Sequence, residues 1–226
     1  RWSASMISAV FFDLDGTLAD TSKDLIAAAN ACFQGLGLGD LLDPVEDAAT
    51  AFAGGRAMLR LGFERVGAYG EDEVDRQYPV LLDAYAEDID RHTVLYPGTM
   101  DAVERLKSKG YAVAICTNKP EGLAVTLMQR LGVRDAFGAL VGADTLPVRK
   151  PDPAPFFEAV DRVGGTRTAS LLVGDTVTDR KTSAAAGVPS VLVTFGPTGR
   201  DVADLQPEAL LDHYDDLDAI VAGLIG

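Results

Sequence analysis

From Tyr96 onward, short and almost uninterrupted apolar runs alternate with stretches of helical spacing. Runs over 112–116, 139–141, 169–173 and 190–194 predict strands, and 101–109, 122–131, 153–163, 179–186 and 217–224 predict helices. Strands without polar alternation are covered on both faces, and regular strand-helix alternation makes them parallel. One more run of the same kind, Ser8-Ala9-Val10-Phe11-Phe12, stands apart near the start. A helix follows it, capped by Thr21 or Ser22, with Leu25, Ile26, Ala29 and Phe33 on one face and Gly35, Gly37 and Gly39 ending it. Residues 43–91 then show no strand pattern, only apolar positions at three-to-four spacing: Met58, Leu59, Phe63 and Val66, then Val80, Leu81 and Tyr85. The expected fold is α/β: a Rossmann-like parallel sheet core from residues 1–18 and 93–226, with an all-helical cap domain over 19–92 inserted after the first strand.

Open parallel sheets bind ligands beyond the carboxyl ends of their strands, so the residues after each run carry the chemistry. Asp13-Leu14-Asp15-Gly16-Thr17 follows the first strand and Thr117-Asn118-Lys119 the second. Arg149-Lys150-Pro151-Asp152 lies past the third, and Gly174-Asp175-Thr176-Val177-Thr178-Asp179 after the fourth. A lone Asp after a strand is ordinarily a cap or turn residue. Asp13, Asp15, Asp175 and Asp179 converging on one place are different, because clustered carboxylates raise one another's pKa and destabilise the fold. A hard cation with oxygen ligands relieves that repulsion, and Mg²⁺ typically takes one or two carboxylates together with waters and a substrate phosphate. Lys150 in the same cleft can hold phosphate oxygens.

Composition points the same way. Against 20 Lys and Arg stand 34 Asp and Glu, a formal net charge of -14. So acidic a chain repels polyphosphate backbones, making nucleic acid a poor partner, and it would repel a small anionic substrate too unless a cation sat at the site. No apolar run is long enough for a membrane span, and the first five residues lack a signal peptide's apolar stretch. Two cysteines, Cys32 and Cys116, without metal-ligand spacing fit a reducing, cytoplasmic setting.

The segments DLDGTLAD, TNKP, RKPDP and GDTVTD, in that order, resemble the four motifs of the haloacid dehalogenase-like phosphatase superfamily. LYPG at Leu95, TNKPEG and GADTLPVRKPDPAPF are most similar to phosphoglycolate phosphatases. The resemblance implies a Mg²⁺-dependent phosphatase acting on a small phosphorylated metabolite, 2-phosphoglycolate foremost, with pyrophosphate, nucleotides or sugar phosphates as alternatives. A phosphate-binding regulator without turnover is the competing class. By the same resemblance Asp13 attacks phosphorus, Asp15 serves as acid and then base, and Thr117 and Lys150 hold phosphoryl oxygens. Asp13, the backbone carbonyl of Asp15 and Asp175 would hold Mg²⁺, with Asp179 acting directly or through water, and Asn118 falls among the substrate-binding positions. Arg180 stands where the family places an aliphatic residue, and Thr176 replaces the usual serine.

The helical region narrows the chemistry. It has no lysine over residues 24–106, which closes the Schiff-base route of phosphonate hydrolysis. Ala53-Gly54-Gly55-Arg56 resembles the substrate-specificity loop of capped family members, with Gly54 allowing close backbone approach and Arg56 able to fork onto a small carboxylate. An ordinary helix start with a solvent-facing arginine is the plainer reading of the same residues. His92 and His213 receive no role.

Overall fold

Four consecutive apolar residues with no polar interruption make β1 (Ala9–Phe12), and all four are wholly buried. Phe11 packs edge-on against Phe156 at 5.0 Å, and Phe12 against Phe137 at 6.1 Å. Burying each such ring contributes roughly 1.5–3 kcal/mol, so the strand is anchored on both faces. The computed structural model describes residues 5–226; the stretch before Ser5, expected to carry no signal peptide, lies outside the described residues.

After β1 the chain runs through β2 (Ala19–Asp20), α1 (Ser22–Gly35), α2 (Ala48–Phe52), α3 (Gly55–Val66) and α4 (Glu71–Glu87), and returns by β3 (Val94–Leu95). There follow α5 (Thr99–Ser108), β4 (Ala112–Cys116), α6 (Glu121–Arg130), β5 (Leu140–Val141), α7 (Ala154–Arg162) and β6 (Ser170–Gly174). The chain closes with α8 (Val177–Ala186), β7 (Ser190–Val193), β8 (Ala209–Leu211) and α9 (Leu217–Ile225). The six-stranded sheet has the order β5-β4-β1-β6-β7-β8 and is parallel throughout, as expected of an α/β Rossmann-like fold.

This order fixes where the site forms. The chain builds outward from β1 on one side through β4 and β5, then crosses back to β6 on the other side. The reversal lies at β1, where Phe12 pairs with both Ile115 and Val173, and its carboxyl end is the crevice for ligands.

The chain divides into two units, one of residues up to Leu18 with Leu95–Gly226, the other Ala19–Val94. Within the second unit the Asp24 carboxylate holds the returning chain. It accepts from the main-chain N–H of His92 and of Thr93 (both 2.9 Å to Oδ2) and from Thr93 Oγ1 at 2.8 Å. At the start of α1, Thr21 takes the N-cap position but makes no side-chain cap hydrogen bond; Asp20 Oδ1 accepts from Ser22 N and Oγ at 3.2 and 2.7 Å. Inside the helical unit Phe33 stacks edge-on against Phe63 at 5.5 Å. No helix among the described residues is long and apolar enough to cross a membrane.

Candidate active site

Asp13 is the first residue past β1, and its main chain still follows the sheet, its N–H donating to Val173 O at 2.9 Å. The chain then turns: Thr17 N and Leu18 N both donate to Leu14 O, and Gly16 takes φ 79, a conformation that favours glycine. The turn brings Thr17 Oγ1 to donate to Asp175 Oδ1 at 3.0 Å. Behind it the buried Tyr214 hydroxyl donates to Thr17 O. The end of β6 is thus tied to the end of β1 by a hydroxyl, itself steadied from the far end of the chain.

Asp179 sits in the first turn of α8. Thr176 and Asp179 form a capping box, and Asp179 Oδ2 accepts from Asp175 N at 3.0 Å and Thr176 N at 3.3 Å. A Cβ at Gly174 would lie 2.4 Å from the Asp179 side chain, so only glycine leaves room for this inward carboxylate. Arg180, on the same helix, turns away. Its Nε donates to Leu205 O at 3.1 Å, and Nη2 lies 3.5 Å from Glu208. The arginine after the motif therefore leaves the helix register intact.

Lys150, its side chain only 2% exposed, joins the carboxylates: Nζ lies 2.7 Å from Asp179 Oδ1 and 3.4 Å from Asp13 Oδ1. Asn118 holds the lysine's backbone, Nδ2 donating to Lys150 O at 2.9 Å, while its own buried Oδ1 has no partner. Thr117 is buried at the end of β4 beside β1, its Oγ1 accepting from Lys119 N at 3.0 Å. Asp15 turns from the carboxylate cluster to Lys119, whose Nζ donates to Asp15 Oδ1 at 2.9 Å.

The charges show what the cluster lacks. Carboxylate oxygens of Asp13, Asp175 and Asp179 lie within 4.8 Å of one another. Burial, then the charge of Asp179, raises the Asp13 pKa to about 7 despite Lys150. Burial, then Asp13 and Asp179, pushes Asp175 well above the carboxylate range. Burial also opposes the charge of Asp179, but Lys150 outweighs it and holds that group below its ordinary value. One lysine satisfies one carboxylate and leaves two straining to keep protons. An all-oxygen donor set with uncompensated negative charge fits a hard divalent cation.

Gly54 and Arg56 lie in the helical unit. Gly54 precedes α3 at φ 113, which demands glycine. Arg56 has partners already: Nη1 donates to Asp75 on α4, and the guanidinium lies 4.6 Å from the Tyr78 ring centroid.

Sequence reasoning assigned no role to Lys119 or Tyr214. Lys119 stood in the strand-end motif and was open to discovery there. Tyr214 gave no signal, since its partner Thr17 is 197 positions away.

A haloacid dehalogenase-like hydrolase family model matches residues 10–193. A phosphoglycolate phosphatase of Mesorhizobium japonicum is 38% identical over 211 residues, covering 92% of each chain. One of Rhodospirillum rubrum is 36% identical over 217 residues, covering 92% of this chain and 88% of its own. A crystal structure of a predicted phosphoglycolate phosphatase from Haemophilus somnus 129pt superposes with TM-score 0.84 at 25% identity, covering 96% of this chain and 99% of that one. With the sheet order, the carboxylate-lysine cluster and these relatives in agreement, the chain belongs to the haloacid dehalogenase-like hydrolase family.

Proposed function

We propose that this chain hydrolyses a small phosphate monoester, 2-phosphoglycolate foremost, through an aspartyl-phosphate on Asp13. The observation that carries the reading is the buried cluster of Asp13, Asp175, Asp179 and Lys150 at the sheet's reversal point, together with relatives of similar length named phosphoglycolate phosphatase. Asp13 lies directly past the central strand and serves as nucleophile, its carboxylate oxygen forming the bond to phosphorus as the ester oxygen leaves. Asp15 gives a proton to that leaving oxygen and afterwards takes one from the water that hydrolyses the acyl-phosphate. Lys150 and Thr117 stabilise the transferring phosphoryl oxygens, and Asn118 keeps the Lys150 loop in place.

Mg²⁺ is the proposed cofactor. Asp13, Asp175 and the backbone carbonyl of Asp15 would hold it, with Asp179 acting through water because Lys150 and the N–H groups of Asp175 and Thr176 already occupy its oxygens. Bound there, the cation supplies charge neutralisation for an anionic substrate in an acidic protein. The helical unit is proposed to act as a cap, with Gly54 and Arg56 its substrate-side positions.

The test is steady-state hydrolysis by purified protein with Mg²⁺ across a panel of small phosphate monoesters, with beryllium fluoride as a phosphoryl mimic. Phosphoglycolate should give the highest kcat/KM, and an adduct should form on Asp13. Full activity in excess chelator, or appreciable turnover by a verified Asp13→Asn variant, would refute the mechanism.

A further inference from the structure

Lys119 is the second buried lysine at the strand ends, and the aspartyl-phosphate mechanism leaves it unused. Its side chain is only 3% exposed, and its ammonium donates to Asp15 Oδ1 at 2.9 Å. The stem is fixed at its base as well, because Lys119 N donates to Thr117 Oγ1 at 3.0 Å. A buried ammonium needs an anionic partner, and this one has the carboxylate assigned to the leaving group.

A role for Lys119 in recognition rests on the phosphoglycolate reading. If Asp15 protonates the ester oxygen, that oxygen must come within hydrogen-bond reach of Asp15. In 2-phosphoglycolate a single methylene separates the ester oxygen from the carboxylate. A cation already bonded to Asp15 is therefore in reach of that carboxylate too. An ammonium has three donors, so it can hold Asp15 and a substrate anion together. The other lysine of the site, Lys150, lies against Asp179 and Asp13 and serves the phosphoryl group. Arg56 is paired with Asp75 and stacked on Tyr78.

We propose that Lys119 is the residue that recognises the substrate carboxylate, selecting an anionic leaving group and holding its ester oxygen beside Asp15. Selection and orientation then come from one contact, made entirely within the sheet-bearing unit.

The test compares 2-phosphoglycolate with ethyl phosphate, an alkyl ester without the carboxylate, in the Mg²⁺-loaded full chain carrying Lys119→Met. A loss that passes through Asp15 strikes both esters and cancels in the ratio of their kcat/KM values. That ratio should fall about 10- to 150-fold, the worth of one charge-assisted hydrogen bond. Calorimetric binding of 3-phosphonopropionate against propylphosphonate, neither of which turns over, should lose selectivity in parallel. Lys119→Gln, which keeps a donor for Asp15 and removes the charge, gives the same readings should the methionine variant not fold. An unchanged ratio in these variants, or a ratio that collapses in Arg56→Ala instead, overturns the assignment of Lys119 and leaves the substrate reading standing. A parent protein that does not prefer phosphoglycolate to ethyl phosphate overturns both.

Discussion

Asp13→Asn should end catalysis and yet stabilise the metal-free protein at neutral pH. Burial first, and the neighbouring Asp179 next, move the Asp13 pKa from 3.8 to about 7. Between those values the folded chain holds a proton on Asp13 that the unfolded chain has released, so stability falls as pH rises through the window and levels off above it. At about 1.36 kcal/mol per pKa unit, the whole shift corresponds to roughly 4 kcal/mol. The side chain keeps 13% exposure and Lys150 lies 3.4 Å away, so about 2–4 kcal/mol is the expected range. Asp175 is raised partly by the charge of Asp13, and the substitution relieves it in the same direction. The assay is urea unfolding of chelator-treated parent and variant from about pH 4 to about pH 8. The variant's advantage should be small at the acid end and grow to its full size near neutrality. Mg²⁺ should then narrow it by binding the folded parent. A difference that does not change with pH, or a parent more stable than the variant at neutral pH without metal, would refute the electrostatic account of the cluster.

Two further outcomes are expected. Asp15→Asn should slow single-turnover phosphorylation far more for an alkyl phosphate than for p-nitrophenyl phosphate, whose leaving group needs no proton; equal losses would make Asp15 a positioning residue. Tyr214→Phe leaves Thr17 O without its buried donor and should cost about 1–3 kcal/mol in unfolding measurements, with weaker Mg²⁺ binding by calorimetry as the Thr17–Asp175 contact loosens; unchanged stability and metal affinity would remove Tyr214 from the support of the site.

Much of the architecture was legible because strands such as Ala9–Phe12 and Ser170–Gly174 are buried on both faces and so leave unbroken apolar runs. β8, with three residues at the sheet edge, and β2 and β3, with two each, are too short for any period to show. At the start of α1 Thr21 holds the expected N-cap position, but the side chain that accepts there is that of Asp20, a choice among three competent residues that only geometry makes. Within the site, Asp13, Asp175 and Asp179 were legible because each follows a strand end by a few residues. The partners of Asp15 and Arg56 were not. Lys119 and Asp75 meet them across loops and between helices, where sequence separation carries no register.

β1 lies at the centre of the sheet, with Ala9 opposite Ala112 on one side and Ser170 on the other. That placement governs the order in which the molecule can be made. A ribosome delivers β1 first, then the whole helical unit, and only much later the two strands that hold β1 in place. The segment Ala19–Val94 has its own contacts and can consolidate while β1 waits unpaired, an apolar strand exposed on both edges. Pairing across such separations is intrinsically slow. The Asp13 loop therefore acquires its shape near the end of folding, and an incomplete chain ending before Ser170 carries Asp13 without the means to position it.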